Sequence, residues 1–323
     1  MTWKTGLASL AVIGVVTVAY ALGGGGGVTR VNGTPWRNSL AEAEAEAKRT
    51  GKPILLLSMF GKLDEDMPCA NARTLRATLF KDPEFRAFVE KEAIPAWEMV
   101  RPVPRVTIDF GDGKKVVRTV RGNAVMYLVN ADGKVFDAFP GIYTKDDFLP
   151  AARESIARLA KANEADVVAY HAQLARDISN TRTTLSKTFS EAPTLNLMGA
   201  RPFVPASITP ITPSMAPERV RFLTNAARLT DMSLTPAPVE TVVAQLARGV
   251  APAGIPQTIL KSDSQTNMQR TRPVVHLYFA SEKTLPTPAE ARDAVLSTIL
   301  KIPYKDPTMG LTDVLMPGTP AAG

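Results

Sequence analysis

The sequence has very few of the residues that most often carry protein chemistry. Its 323 residues include one cysteine, Cys69, and two histidines. A single cysteine cannot form a disulfide within the chain, and His171 and His276 lie far apart in the sequence, without the spacing of metal ligands. We therefore predict neither a metal nor a haem site, and we expect no cofactor.

Dense blocks of basic residues are also lacking. The formal net charge is +7, but Lys and Arg are spread thinly along the chain and form no basic stripe interleaved with aromatic residues. We therefore do not expect the protein to bind nucleic acid. A diffuse positive charge suits an anionic membrane surface or an acidic partner instead.

The N-terminal segment is predicted to export the rest of the protein. Residues 5–27 carry no charge, and their apolar part at 6–22 is about seventeen residues long, the short limit for a membrane-spanning helix. The Ala-Tyr-Ala sequence at 19–21 offers a signal-peptidase site, whereas Trp3 and Tyr20 suit the two interfaces of a retained anchor. Both alternatives place the body in the periplasm or beyond, because positive charge precedes the apolar run.

Four segments follow from composition and patterning. Residues 1–22 are predicted to be the anchor or signal peptide, and residues 23–37 a flexible, glycine-rich tether. Residues 38–160 form an α/β domain. Residues 161–323 form a C-terminal region of helices and proline-rich extended segments.

Helix and strand patterns alternate through residues 38–160. Ser39 and Glu42 form a capping box that opens a helix, Gly51 closes it, and the apolar run ILLLSMF is a strand covered on both faces. Beyond it we predict helices at about 68–79, from Asp82-Pro83 and at 143–160, a strand at 94–100, and hairpins with turns at 111–113 and 131–133. This order predicts a mixed sheet with helices on both faces.

The same segments resemble the thioredoxin-like superfamily. The resemblance rests on the order of AEAEAKRTGKPILLLSMFG, Cys69, LFKDPEF and MYLVNADGKVFDAFPG, followed by a final helix. It is nearest to exported members whose motif places Trp-Cys-x-x-Cys after a Lys-Pro-led strand. The resemblance covers residues 38–160, about half of the chain, and implies a thioredoxin-like mixed sheet with flanking helices.

The redox motif of that superfamily is degenerate in this sequence. Cys69 aligns with the attacking cysteine, but the tetrad at 69–72 reads Cys-Ala-Asn-Ala, so that Ala72 stands in place of the second cysteine. Pro68 replaces the usual tryptophan, and Ala124 stands where the cis-proline faces the thiol. Dithiol exchange needs a second thiolate to resolve the mixed disulfide, and the chain has none.

Two opposing effects are expected on the thiol of Cys69. A helix N-terminus lowers a thiol pKa, whereas the acidic residues at 64–66 disfavour the thiolate. One hypothesis makes Cys69 a catalytic monothiol. The other hypothesis, which we favour, makes Cys69 a small packed residue in a thioredoxin-like scaffold that no longer catalyses thiol–disulfide exchange.

The second half of the chain contains fewer sequence signals from which its structure can be predicted. His171 is expected on an exposed or half-buried helix face, and His276 is expected to be structural, in a strand at 273–281. The segment at 191–220 is rich in proline yet apolar, which suits an extended arm lying on another protein or on its own domain. Helices are predicted at 217–230, 238–247 and 287–302.

These features lead to one functional hypothesis and two alternatives. The first is a non-enzymatic accessory subunit that docks on the periplasmic side of a membrane protein complex, of which an electron-transfer or photosynthetic assembly is one type. Its partners are other subunits and, through the N-terminal helix, the membrane. The alternatives are an exported monothiol oxidoreductase that uses Cys69, and a thioredoxin-like chaperone or assembly factor.

Overall fold

The structure of the protein is a computed structural model, which describes residues 27–191 and 257–312. The strands in these residues are β1 Val28–Val31, β2 Thr34–Arg37, β3 Ile54–Phe60, β4 Ile94–Arg101, β5 Arg105–Asp109, β6 Lys115–Thr119, β7 Ala124–Val129 and β8 Val135–Pro140. The helices are α1 Leu40–Thr50, α2 Ala70–Ala77, α3 Pro83–Lys91, α4 Lys145–Leu159, α5 Glu164–Glu191, α6 Gln257–Thr266, α7 Arg272–Ser281 and α8 Pro288–Asp293. Short 3-10 and π-helical segments follow α2, α6 and α8 (Leu79–Lys81, Asn267–Thr271 and Ala294–Ile299).

Six strands form one mixed sheet in the order β1-β2-β4-β3-β7-β8. β2, β4 and β3 are parallel, whereas β1, β7 and β8 pair in antiparallel register with β2, β3 and β7 respectively. β5 and β6 form a separate two-stranded sheet, inserted between β4 and β7 in the chain. The predicted α/β class is confirmed, and the mixed sheet with flanking helices is compatible with a thioredoxin-like fold.

Local sequence signals place the first helices and strands where they were predicted. The Ser39 hydroxyl accepts the backbone N–H of Glu42 at the start of α1, and Gly51 ends the helix with a φ of 72°. Asp82 caps α3 in the same way. All positions of β3 are buried, as expected for a strand that is covered on both faces of the sheet.

The predicted tether is wrong for residues 28–37. These residues form β1 and β2, and β2 pairs with β4 at Arg37 and Ala96. Trp36 is fully buried and its ring lies 5.0 Å from that of Phe80, so this short hairpin contributes to the core. The preceding glycines indicate a flexible segment, but the buried side chain of Trp36 fixes β2 in the sheet.

The predicted strand at 273–281 is also wrong, because these residues form helix α7. The helix packs between α5 and β8, and most of its side chains are buried. A helix covered on several sides needs no polar stripe, so its sequence cannot be distinguished from a buried strand by periodicity alone. The helix predicted at 287–302 begins as predicted, with the complete capping box of Thr287 and Glu290, but it becomes π-helical after Asp293 and ends at Ile299.

The described C-terminal residues share one hydrophobic core with the sheet. Side chains of α7, α8 and the following segment belong to the same buried cluster as β3, β7 and β8. The Arg101 side chain, at the end of β4, donates hydrogen bonds to the backbone carbonyls of Tyr304, Asp306 and Pro307. The C-terminal helices therefore complete the body of the sheet domain.

Several predictions lie outside the described residues. They concern the anchor or signal peptide at 1–22, the proline-rich arm, the helices at 217–230 and 238–247, and the last eleven residues, 313–323. Within residues 27–191 and 257–312, no helix has the length and apolar character needed to cross a membrane.

Candidate functional site

Cys69 lies where the sequence predicts it, at the junction between β3 and the N-terminus of α2. Its backbone N–H donates to the carbonyl of Phe60, the last residue of β3, at 3.1 Å. Its own carbonyl accepts the N–H of Arg73 at 3.1 Å and so begins the helix. The cysteine therefore occupies the end of the sheet at which parallel strands present functional groups in many α/β folds.

The thiol is closed off from solvent. Cys69 has no exposed surface, and its Sγ lies 3.4 Å from the backbone carbonyl oxygen of Asn123, to which the S–H can donate. The loop before β7 lies directly over it, since a Cβ on Gly122 would be 3.1 Å from the Cβ of Cys69. Gly122 also has a φ of 87°, so glycine is needed there for conformation as well as for space.

An amide pair joins the two degenerate parts of the motif. The side-chain amide of Asn71, in the tetrad, donates to the side-chain carbonyl of Asn123. The same Asn123 oxygen accepts the backbone N–H of Ala124 at 2.7 Å. Asn71, Asn123, Ala72 and Ala124 are all buried. The positions of the missing cysteine and the missing proline are therefore packed and hydrogen-bonded, which leaves no opening for a disulfide substrate.

Burial also opposes formation of the thiolate. Burial raises the pKa of Cys69 above its ordinary value, and the backbone N–H groups of α2 and the charge of Arg73 offset only part of this effect. The acidic residues at 64–66, which were expected to disfavour the thiolate, are not among the main causes of this shift. Glu65 instead forms an ion pair with Arg105 at 3.3 Å.

A second cluster of ionisable groups, which we did not predict, lies inside the core. Asp137, on β8, is fully buried and forms an ion pair with Arg272 of α7, whose two terminal nitrogens bind both carboxylate oxygens. Ser155 and the N–H of Ala138 donate to the same carboxylate. Burial by itself would raise the pKa of Asp137, but the Arg272 guanidinium holds this pKa below its usual range.

The two histidines meet beside this ion pair. His171, on α5, was expected on an exposed or half-buried face, but it is fully buried. Its Nε2–H donates to the carbonyl of Phe136 at 2.8 Å, so in the neutral ring Nδ1 is an acceptor. His276, on α7, then donates its Nδ1–H to that atom at 2.9 Å. Burial lowers the pKa of both histidines, and the charge of Arg272 further lowers the pKa of His276.

This cluster contains the ligand types of a metal site. One ligand atom from each of Asp137, His171 and His276 lies within 4.8 Å of the others. The carboxylate charge, however, is already balanced by Arg272, and the facing histidine nitrogens are hydrogen-bonded to each other. A divalent cation would therefore bring two uncompensated charges into the core. The arrangement fits a structural ion pair with a neutral histidine pair better than it fits a metal centre.

The fold and the site together define an α/β protein whose motif cysteine is sealed within the core. Comparisons with protein-family models, with curated proteins and with solved structures give no match to the chain. What the protein does is therefore inferred from its own residues.

Proposed function

We propose that the protein is a thioredoxin-like, non-enzymatic accessory subunit, which docks on the periplasmic side of a membrane protein complex. The thioredoxin-like assignment is supported by the strand order β2-β4-β3-β7-β8, by the parallel and antiparallel pairings within it, and by the cysteine between β3 and α2. A terminal helix, α4, follows the last strand, as in the predicted order.

One observation carries the non-enzymatic part of the proposal. The single sulfhydryl in 323 residues has no exposed surface and contacts the Asn123 carbonyl. Thiol–disulfide exchange requires a thiolate that a disulfide sulfur can reach, and a second thiol to release the product. Neither requirement is met by Cys69, so the catalytic monothiol alternative has no support in this geometry.

The membrane part of the proposal rests on the sequence. The uncharged, apolar run at 6–22 precedes the first described strand by only five glycines. Whether that run is a retained anchor or a cleaved signal, positive charge ahead of it favours export of the folded body. A retained anchor would hold the sheet domain close to the membrane surface.

Stoichiometric co-purification tests the proposal. The tagged full-length chain and its Cys69→Ala variant are expressed in the native host and extracted from membranes with mild detergent. We expect both proteins to retain the same membrane partners at the same fixed ratio, because the thiol makes no contact with solvent. Recovery of a soluble monomer without partners would contradict the subunit role.

The same experiment separates the two alternatives. A chaperone binds many clients at ratios well below one, and the captured set changes with growth conditions. A monothiol enzyme loses captured substrates when Cys69 is replaced. A fixed set of partners that is indifferent to this replacement is expected only of a structural subunit.

A further inference from the structure

The β5–β6 hairpin, residues 105–119, is built differently from the rest of the protein. It pairs with no other described strand, and its turn passes through Gly111 and Gly113, both with positive φ. Isolated two-stranded hairpins are only marginally stable in water, so an exposed hairpin of this length is favoured when one face finds a partner.

The two faces of the hairpin differ in chemistry. Because side chains alternate along each strand, register assigns six residues to what we call the outer face: Val106, Ile108, Phe110, Lys114, Val116 and Arg118. The opposite face carries Arg105, Thr107, Asp109, Lys115, Val117 and Thr119. The outer face therefore combines four apolar and two basic side chains, and one of the basic residues, Lys114, forms an exposed ion pair with Asp112 of the turn at 3.2 Å.

Two residues of the opposite face contact the body of the protein. Arg105 forms its ion pair with Glu65, and Thr119 accepts a hydrogen bond from Arg73 of α2 at 3.1 Å. Asp109 forms an ion pair with Lys115 on the same face at 3.0 Å. The two contacts with the body lie at the base of the hairpin, where Val106, Val116 and Arg118 of the outer face are also half-buried. Nearer the turn, Ile108, Phe110 and Lys114 of the outer face are exposed.

The described residues expose large apolar side chains at the start of β1 and in the hairpin. Among the described residues, the large apolar side chains that are exposed are Val28, Ile108 and Phe110, with exposed fractions of 46%, 47% and 61%. Val28 is level with Arg37, the last residue of β2, and with Ala96, the third residue of β4, and β2 and β4 run in the same direction. The chain that arrives from the N-terminus and the hairpin that follows β4 therefore lie toward the same end of the sheet.

The hairpin and the N-terminal segment can reach the same surface, as the length of β4 and the length of the glycine segment at 23–27 indicate. β4 continues for five residues beyond Ala96 and so ends about 17 Å beyond the level of Val28, and the hairpin begins after the three residues that follow. The five glycines at 23–27 can span at most about 17 Å. A surface that contains the end of the apolar run at 6–22 therefore lies within reach of the hairpin.

We infer that the outer face of the β5–β6 hairpin binds the anionic lipid surface of the membrane to which the N-terminus is tethered. This inference rests on the tether in the proposed function. Phe110 and Ile108 enter the interfacial region, while Lys114 and Arg118 pair with lipid phosphates. The ion pair of Lys114 with Asp112 is exposed and therefore weak, so Lys114 can exchange this partner for a phosphate. Apolar side chains flanked by basic ones are typical of segments that lie in the interface.

A matched pair of labelling sites tests the inference on the full-length protein. Ile108 and Thr107 are neighbours on opposite faces of β5, so Ile108→Cys and Thr107→Cys are made separately in a Cys69→Ala background. Each variant carries a polarity-sensitive fluorophore and is reconstituted in phosphatidylcholine vesicles, with or without phosphatidylglycerol. We expect a blue shift of the label at position 108 that depends on phosphatidylglycerol, and no shift at position 107.

Removing the two basic charges of the outer face tests the inference quantitatively. Replacing both Lys114 and Arg118 by Gln is expected to lower the ratio of docked to free hairpin about thirtyfold, since each basic charge near the surface contributes about fivefold. Lys115→Gln, on the opposite face, is the matched control and leaves the ratio unchanged. Equal effects of the two replacements would overturn the assigned orientation.

The remaining outcomes distinguish this inference from the function on which it rests. Protein that washes off the vesicles contradicts the tether and the lipid contact together. Protein that remains bound, with a label at position 108 that stays in water, overturns the lipid contact alone. A shift that occurs only in native membranes, and never in protein-free vesicles, assigns the outer face to a protein partner instead and also overturns the inference.

Discussion

His171 Nδ1 lies 2.9 Å from His276 Nδ1, although 105 residues separate the two histidines in the chain. One proton fits between these atoms, and α5 and α7 are thereby joined within the core. The groups that face the pair are the Asp137–Arg272 ion pair and the carbonyl of Phe136. The pair stabilises the packing of the C-terminal helices only while it is neutral.

This geometry predicts that the protein loses stability as the medium becomes acidic. Burial lowers the pKa of His171 and of His276 in the folded state, so between the folded and unfolded values the unfolded chain binds more protons. The contribution to stability is complete above pH 6.5 or so, the unfolded value, and falls as the pH drops below it. Thermal unfolding measured from pH 8 to pH 5 should therefore show a falling Tm, by the same linkage.

A double variant provides the control for this pH dependence. His171→Leu combined with His276→Leu removes both sites of protonation, so its Tm should vary less with pH below 6.5 whatever its absolute stability. Equal slopes in the two proteins would assign the pH dependence to other groups.

Breaking the buried ion pair should be costly. Arg272→Met leaves the Asp137 carboxylate unpaired in the core, and loss of one partner of a buried pair typically costs about 3–5 kcal/mol. Arg153→Gln breaks the exposed pair with Glu92, at 2.7 Å, and should cost at most about 1 kcal/mol. Urea unfolding of the two variants measures both values. Similar costs would show that the buried pair is not a structural element of the core.

The close approach of the loop to the thiol predicts a difference between two glycines. Gly122 and Gly113 have φ values of 87° and 84°, so alanine at either position meets similar backbone strain, about 1–2 kcal/mol. At Gly113 an added methyl group has nothing within 4 Å, whereas at Gly122 it meets Cys69 and Phe60 at 3.1 Å. Gly122→Ala should therefore destabilise the protein by about 1–3 kcal/mol more than Gly113→Ala does. Equal free energies of unfolding would mean that the loop does not press on the cysteine.

The charge balance of the histidine cluster predicts indifference to metal ions. Arg272 already neutralises Asp137, so added Zn²⁺ should leave the Tm unchanged at pH 7.5, and a chelator should have no effect on the protein as purified. A rise in Tm that grows with zinc concentration, and that disappears in the His171→Leu, His276→Leu variant, would instead identify a metal centre.

Much of the sheet domain follows from local signals in the sequence. Ser39, Gly51 and Asp82 mark helix ends through their own backbone hydrogen bonds or left-handed conformation, so they could be read without knowledge of the fold. The position of Cys69 before α2 followed from the order of the segments around it. Each of these signals depends on only a few neighbouring residues, so it can be recognised in a single sequence.

The clusters that hold the molecule together are not local, and they could not be located in the same way. Asp137 and Arg272 are 135 residues apart, and the residues around either one do not identify the other as its partner. A charged residue in the middle of a buried strand nevertheless requires a partner, and Asp137 in VFDAFP was such a signal. Helix α7 was misread for a related reason, since its partners α5 and β8 are distant in sequence.

The central claim is that Cys69 is sealed and performs no redox chemistry, and thiol reactivity tests it most directly. Alkylation of the native protein at pH 7 is compared with alkylation in denaturant, and turnover of a disulfide substrate is measured for the wild type and for Cys69→Ala. We predict very slow native alkylation, complete reaction after unfolding, and equal, background turnover in both proteins. Rapid native alkylation, with disulfide turnover that disappears in Cys69→Ala, would contradict the claim.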